Sequence, residues 1–400
     1  MKGAGTITLG AGGLPVLAAW LVGLSGLPVA RRPITDVLAE VLAVLLLVLG
    51  WRFRRGRLVV AAVALALANF LVRGPLANAP SEAGLAALAI LLPVTLAVLS
   101  LMPERPINRP LILILFAVVI VQSWLVAEIA RAQPSIGDSG LIANISEFLT
   151  SPDLARLVFL IAGAFIALAY AARHSTFEGS LLWVTAAAAL ALLAWKGPHA
   201  ATLALAAAQL VLLIGLVEDS YRLAYHDELT GLPGRRALEE ALRALNGDYA
   251  IAMVDVDHFK RFNDRHGHAA GDQALRMVAA ELQNVGGGGR AYRYGGEEFT
   301  ILFPGTTPAE ASESLETVCT AIANRRFAIR SPDRPRKKPD PPRKLSRPPR
   351  LISVSVSIGF AGPSARTTES SAVLRAADRA LYRAKNKGRN RVVRYGARNA

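Results

Sequence analysis

Tyr294-Gly295-Gly296-Glu297-Glu298-Phe299 is the stretch that decides how the chain reads. Two glycines without a Cβ are followed at once by two carboxylates. Ala291 and Tyr292 precede them, and Thr300, Ile301, Leu302 and Phe303 follow. Short apolar runs around a glycine turn predict a β-hairpin whose turn presents acids. A glycine pair lets a backbone come close to a ligand, and neighbouring carboxylates are the donors a hard divalent cation takes.

Working outward, Ala250 to Val256 reads as a buried strand that delivers Asp255 and Asp257 at its C-terminal end. His258 to Asp264 follows, then Gly267, His268, and Gly271 with Asp272 opening a helix that runs to about Val285. After the hairpin the pattern predicts a helix over about 308 to 326, a strand over 351 to 360, a helix over about 370 to 387 and a short strand over 391 to 393. Strands alternating with amphipathic helices, with one hairpin, predict an α/β domain built on a mixed sheet.

Asp255 at a strand end and Glu297 at a hairpin turn can converge on one or two Mg²⁺ ions, with a main-chain carbonyl near Val256 completing the oxygen shell. Such ions take further ligands from substrate phosphates, so with a cation such as Lys260 the site suits phosphoryl or nucleotidyl transfer. Asn263 and Asp272 suit a base edge, a carboxylate accepting from the paired N–H groups of guanine that adenine does not offer. Lys385 and Arg389, four apart at a helix end, can hold phosphate oxygens.

Together these residues closely resemble the GGDEF family of diguanylate cyclases, here with the variant GGEEF. The resemblance covers about Tyr221 to Arg394. It rests on Asp227 to Leu232 with Arg235 and Arg236, Asp255 to Asp272, Arg293 to Phe299, Ser355 to Gly359, and Ala377 to Asn390. It implies the nucleotidyl-cyclase, palm-like α/β fold and the condensation of two GTP to cyclic di-GMP and two pyrophosphates. By position, Asp255, the Val256 carbonyl and Glu297 are implied as Mg²⁺ ligands, with Mn²⁺ as a substitute. Glu297 is implied as proton acceptor with Glu298 beside it, Lys260 as the transition-state cation, Asn263 and Asp272 as guanine readers, and Lys385 and Arg389 as phosphate ligands. Gly295 and Gly296 would let the nucleotide lie against the hairpin. One domain holds one GTP, so a homodimer through this domain and the helix before it is implied, with downstream cyclic di-GMP effectors.

The chain departs from the family in three places. Gly286 to Gly289 stands where many members carry the Arg-x-x-Asp pair of product inhibition, so feedback through that site is expected to be absent. Gly234 stands where an Asn usually precedes the two arginines. A Pro-, Arg- and Lys-rich segment at about 331 to 350 reads as an insertion without a core of its own. Between Arg325 and Arg350 eleven Lys or Arg face two Asp, a net +9 of the chain's +15. The basicity therefore belongs to one segment, and no specific nucleic-acid partner is expected.

The first half is different in kind. The 400 residues are 52% hydrophobic, and the excess lies before residue 218. Eight apolar runs, at about 10 to 30, 34 to 51, 58 to 72, 83 to 102, 110 to 129, 154 to 172, 178 to 195 and 198 to 217, predict an all-α polytopic membrane domain over 1 to 217. Arg52, Arg54, Arg55 and Arg57, then Arg105 and Arg109, then Arg173 fall in alternating loops. They place both ends of this domain on the cytoplasmic side of a bacterial inner membrane, against the contrary signal of Arg31 and Arg32. Residues 218 to 226 read as a helix leaving the membrane unbroken, and 227 to 396 as the cyclase domain. The rival reading is a catalytically silent receptor of GTP or cyclic di-GMP. Silent members lose signature acids or guanine readers, and this chain keeps them. The sole cysteine, Cys319, excludes an internal disulfide and reads as a packing residue.

Overall fold

The computed structural model describes residues 13–19, 21, 32–73, 82–104, 110–131, 151–194, 197–328, 351–364 and 369–396. The basic stretch at 331 to 350 and much of the first apolar run lie outside the described residues. The chain divides into two compact units, Met1–Ser220 and Tyr221–Ala400.

The first unit is helical: α1 (Arg32–Arg52), α2 (Gly56–Val72), α3 (Glu82–Leu101), α4 (Pro110–Arg131), α5 (Pro152–Arg173), α6 (Thr176–Leu193) and α7 (Pro198–Tyr225), whose last residues open the second unit. Four segments, Gly84–Leu101, Pro152–Arg173, Thr176–Leu193 and Pro198–Tyr225, are long and apolar enough to cross a membrane. Gly56–Val72 and Ile112–Val126 are shorter apolar helices. Leucines, valines and isoleucines remain exposed on α1, α4 and α5.

One end of this bundle is knit by charge. Arg57 Nη1 donates to Glu178 Oε1 (2.8 Å), and Arg57 Nε donates to Glu104 Oε2 (3.0 Å). Arg173 Nη1 reaches the same Glu178 oxygen (3.1 Å) and also donates to Ser100 O (2.6 Å). Arg55 pairs with Asp219, which also accepts from Thr176 Oγ1 (3.3 Å). The connections after α1, α3 and α5 therefore meet at one end, where α7 also leaves. This is the grouping the arginine pattern predicts, and of the arginines that signal it Arg55, Arg57 and Arg173 are bound by carboxylates or carbonyls, while Arg105 and Arg109 lie outside the described residues. Polar side chains on the bundle helices are also paired: Gln122 accepts from Thr95 Oγ1 (2.9 Å) and Glu40 pairs with Arg73 (2.7 Å). Gln209 is fully buried and its amide has no hydrogen-bond partner among the described residues.

The second unit is α/β. Its elements are α8 (Arg235–Arg243), β1 (Tyr249–Val256), α9 (Phe259–His266), α10 (His268–Gln283), β2 (Arg290–Gly295), β3 (Glu298–Pro304), α11 (Pro308–Asn324), β4 (Phe327–Ala328), β5 (Leu351–Ile352), β6 (Val356–Ala361), α12 (Ser370–Asn386) and β7 (Val392–Arg394). The sheet runs β2-β3-β1-β6-β7. β1 is antiparallel to both neighbours and β6 parallel to β7, so the sheet is mixed. Even residues of β1, from Ala250 to Val256, pack with α10 and α11; Tyr249, Ile251 and Met253 pack with α8 and α12. Strand alternation thus aims Asp255 at the α12 face.

Three expectations need correction. The helix expected to open at Gly271 and Asp272 begins at His268, because the turn is made earlier by Gly267 at φ 81°. The strand expected over 351 to 360 is two strands: β5 pairs with β4 outside the main sheet, and Ser355 turns its carbonyl to the Asp257 N–H (2.9 Å) before β6 begins. α12 ends at Asn386, so Arg389 lies in the turn beyond it.

Gly234 is the N-cap of α8, extended at φ −87° and ψ −171°, with no side-chain cap. A Cβ there would meet nothing nearer than 3.7 Å. Gly234→Asn therefore adds a cap at no steric cost and should stabilise the second unit by about 0.3 kcal/mol, read as a small rise in its denaturant midpoint. Cys319 is buried, its Sγ 3.5 Å from Val356 O, and burial pushes its thiol up to about 11, consistent with a packing role.

Candidate active site

The ends of β1 and β3, the hairpin turn and the end of α12 converge on one place. Asp255 is paired across the sheet with Glu298, and the Val256 N–H donates to Glu297 O (3.3 Å), so the acid-bearing turn is tied to the strand carrying Asp255. The β2–β3 ladder closes at Gly295↔Glu298 after an irregularity at Arg293 and Gly295, and Gly296 takes φ 51°, a backbone conformation that favours glycine. Gly295 and Gly296 are exposed, and a Cβ on either would meet no atom within 4 Å.

Asp255 is 6% exposed, and its Oδ2 lies 2.8 Å from Lys385 Nζ. Burial raises its pKa against the opposing pull of Lys385 and of Arg389. Glu297 and Glu298 are half-buried, and both are pushed above the usual glutamate range, first by burial and then by the negative charge of Asp255. Three carboxylates thus crowd one ammonium. Lys385 bonds the Asp255 carboxylate directly, a contact the sequence did not suggest.

Asn263 and Asp272 sit on the α9–α10 pair, both half-buried. The Asn263 side chain packs over Gly271: its Oδ1 stands 1.9 Å from where a Gly271 Cβ would be, so only glycine admits it. That Oδ1 is buried with no hydrogen-bond partner among the described residues. A buried amide oxygen left unpaired is costly, and a ligand N–H would satisfy it. Lys260 is exposed on the first turn of α9, and among the described residues no ion pair joins it to the acids. The structure thus brings together Asp255, Val256, Glu297, Glu298, Lys385 and Arg389, and sets Asn263 and Asp272 on a neighbouring helix pair.

Two ties escape sequence reasoning. Arg293 Nη1 donates to Asp227 Oδ1 (2.6 Å), while Arg293 Nη2 donates to Gly296 O (2.7 Å), linking the segment after α7 to the hairpin turn. Burial would raise the Asp227 pKa, but hydrogen bonds from Thr230 and Arg293 outweigh it and lower it. The second tie, at Asp257, joins the strand end to the turn that carries Arg389.

The donor set suits a hard divalent cation that keeps part of its shell for other ligands. Among the described residues no three His, Cys, Asp or Glu gather closely enough to hold an ion by themselves. Asp255 and Glu297 offer carboxylates beside a surplus of negative charge, and phosphate and water oxygens complete such a shell.

Residues 224–338 match the family described as "Diguanylate cyclase, GGDEF domain". The chain is 37% identical over 187 residues to the diguanylate cyclase DgcP of Pseudomonas aeruginosa, covering 44% of this chain and 25% of that one. It is 34% identical over 174 residues to the diguanylate cyclase VdcA of Vibrio cholerae, covering 42% and 47%. Among solved structures it matches the GGDEF domain of DgcB from Caulobacter crescentus in complex with c-di-GMP, at 31% identity and a TM-score of 0.37, covering 44% of this chain and 94% of that one. The chain thus spans a quarter to a half of the length of these two curated relatives.

Proposed function

We propose that this chain, whose C-terminal unit carries a GGDEF domain, is a membrane-anchored diguanylate cyclase that condenses two GTP to cyclic di-GMP and two pyrophosphates. The observation that carries the reading is the set of three crowded carboxylates facing Lys385, beside an unpaired buried Asn263 Oδ1.

Two domains face each other in a homodimer, each holding one GTP. In each half-reaction the 3′-hydroxyl oxygen of one GTP attacks the α-phosphorus of the other, the bond to the β-phosphate oxygen breaks, and pyrophosphate leaves. Glu297 accepts the hydroxyl proton, a task suited to a carboxylate whose pKa is raised. Glu298 adds negative charge at the same place. Asp255, the Val256 carbonyl and Glu297 would hold Mg²⁺, or Mn²⁺ in its stead, which when bound supplies Lewis-acid stabilisation of phosphate charge. Lys385 turns from Asp255 to the phosphates, Arg389 holds further phosphate oxygens, and Lys260 offsets charge in the transition state. Asp272 accepts from the N–H groups of guanine, and Asn263 Oδ1 gains a donor from the same edge.

The test is the product profile of the full chain in detergent with GTP and Mg²⁺. Cyclic di-GMP that forms from GTP and is not suppressed by excess ATP upholds the reading. GTP binding without product assigns the site to reception instead of catalysis. Gly295→Ala gives a separate check. Its Cβ meets open protein surface, so stability should be unchanged, while the methyl enters the space assigned to the nucleotide and should weaken GTP binding by about tenfold.

A further inference from the structure

We propose that Asp257 is a positioning residue that fixes the turn carrying Arg389 against the strand end carrying Asp255, an inference that rests on the nucleotide reading above. Asp257 is 8% exposed and both of its oxygens are engaged. Oδ1 accepts from Ser357 Oγ (2.6 Å), and Oδ2 accepts from Ser355 Oγ (2.7 Å) and from the Asn390 N–H (3.0 Å). Its own N–H donates to Ser355 O (2.9 Å). Although Asp257 stands two residues from Asp255, its carboxylate is spent on the protein.

The turn it holds is unusual. Gly388, Arg389 and Asn390 follow one another at φ 105°, 63° and 46°. Two of the three carry side chains, and left-handed backbone in such residues persists where surrounding contacts impose it. Local ties come from the Arg389 N–H to Ala384 O (3.1 Å) and from Arg391 Nε to Arg389 O (2.9 Å). The Asp257 carboxylate is the tie that arrives from the residue just beyond β1, the strand that bears Asp255. It converts a strained helix-end turn into a fixed extension of the sheet, so that Arg389 meets phosphate oxygens without first being ordered.

The test is GTP binding, with Mg²⁺, to the full chain in detergent, for Asp257→Ala, Arg389→Ala and the double variant. Asp257→Ala should raise the GTP dissociation constant about tenfold. The double variant should bind as weakly as Arg389→Ala and no weaker, since Asp257 acts through that arginine. Asp257→Asn should restore affinity to within about threefold of wild type: its amide oxygen can accept from Asn390, and the Ser357 hydroxyl can turn to accept from the amide. If Asp257→Ala does not fold, Asp257→Ser replaces it, being polar between the serines yet too short to reach the Asn390 N–H. Effects of Asp257 and Arg389 that multiply independently, or a folded Asp257 variant with unchanged affinity, overturn the positioning role and leave the cyclase reading standing. A wild type that binds no GTP overturns both.

Discussion

Glu297→Ala should reduce cyclic di-GMP formation by about 1,000-fold or more while leaving the domain folded and able to bind GTP. The variant removes the proposed proton acceptor and a proposed metal ligand together. It also removes one of the three like charges, and so relieves repulsion in the resting site, where Asp255 contributes to raising the pKa of Glu297. Loss of product with retained GTP binding and an unchanged unfolding midpoint is the expected pattern, read by product chromatography, calorimetry and denaturant titration. Activity within tenfold of wild type would mean that another group takes the proton.

Gly359→Ala should be the most damaging single substitution for the fold of the second unit. Gly359 lies on β6 directly under α12, and a Cβ there would stand 1.9 Å from Leu381 N, 2.4 Å from Ala377 O and 2.5 Å from Ala380 C. These are backbone atoms of a helix, so no side chain can turn aside; α12 itself must lift from the sheet. The cost is about 4 kcal/mol or more, a large part of the stability of an ordinary domain. Because α12 carries Lys385 and leads to Arg389, activity should fall with it. Rapid proteolysis of the second unit in an otherwise intact chain checks the expectation, and wild-type resistance would show that the helix can shift at low cost.

The hairpin and the chemistry of its turn were legible because they are local: glycines, acids and flanking apolar residues stand within about ten positions. The all-helical first unit was legible for the same reason, each apolar run being its own signal. The facing of β1 was not. Tyr249 to Val254 is apolar at every position because both sides of the sheet are covered, and such a run does not say which residues look which way. The break between β5 and β6 was hidden because Val354 and Val356 continue the strand pattern across Ser355, while the cause of the break, Asp257, lies about a hundred residues earlier. The Arg57–Glu178 pair joins residues 121 apart, so the arginine count predicted the grouping of the loops and not their partners. Asn263 and Gly271 were legible as motif members, but the need for glycine beneath the amide appears only when the two helices are packed.

Helix α7 runs 28 residues from Pro198 to Tyr225 without an interruption, and Asp219 near its end is held by Arg55 and Thr176. An α-helix keeps phase: each added residue advances the chain by about 1.5 Å and turns it by about 100°. The six residues between Asp219 and His226 are therefore a ruler as well as a tether. One residue inserted ahead of His226 turns the helix face that follows it by about 100°, and seven inserted residues nearly restore that face.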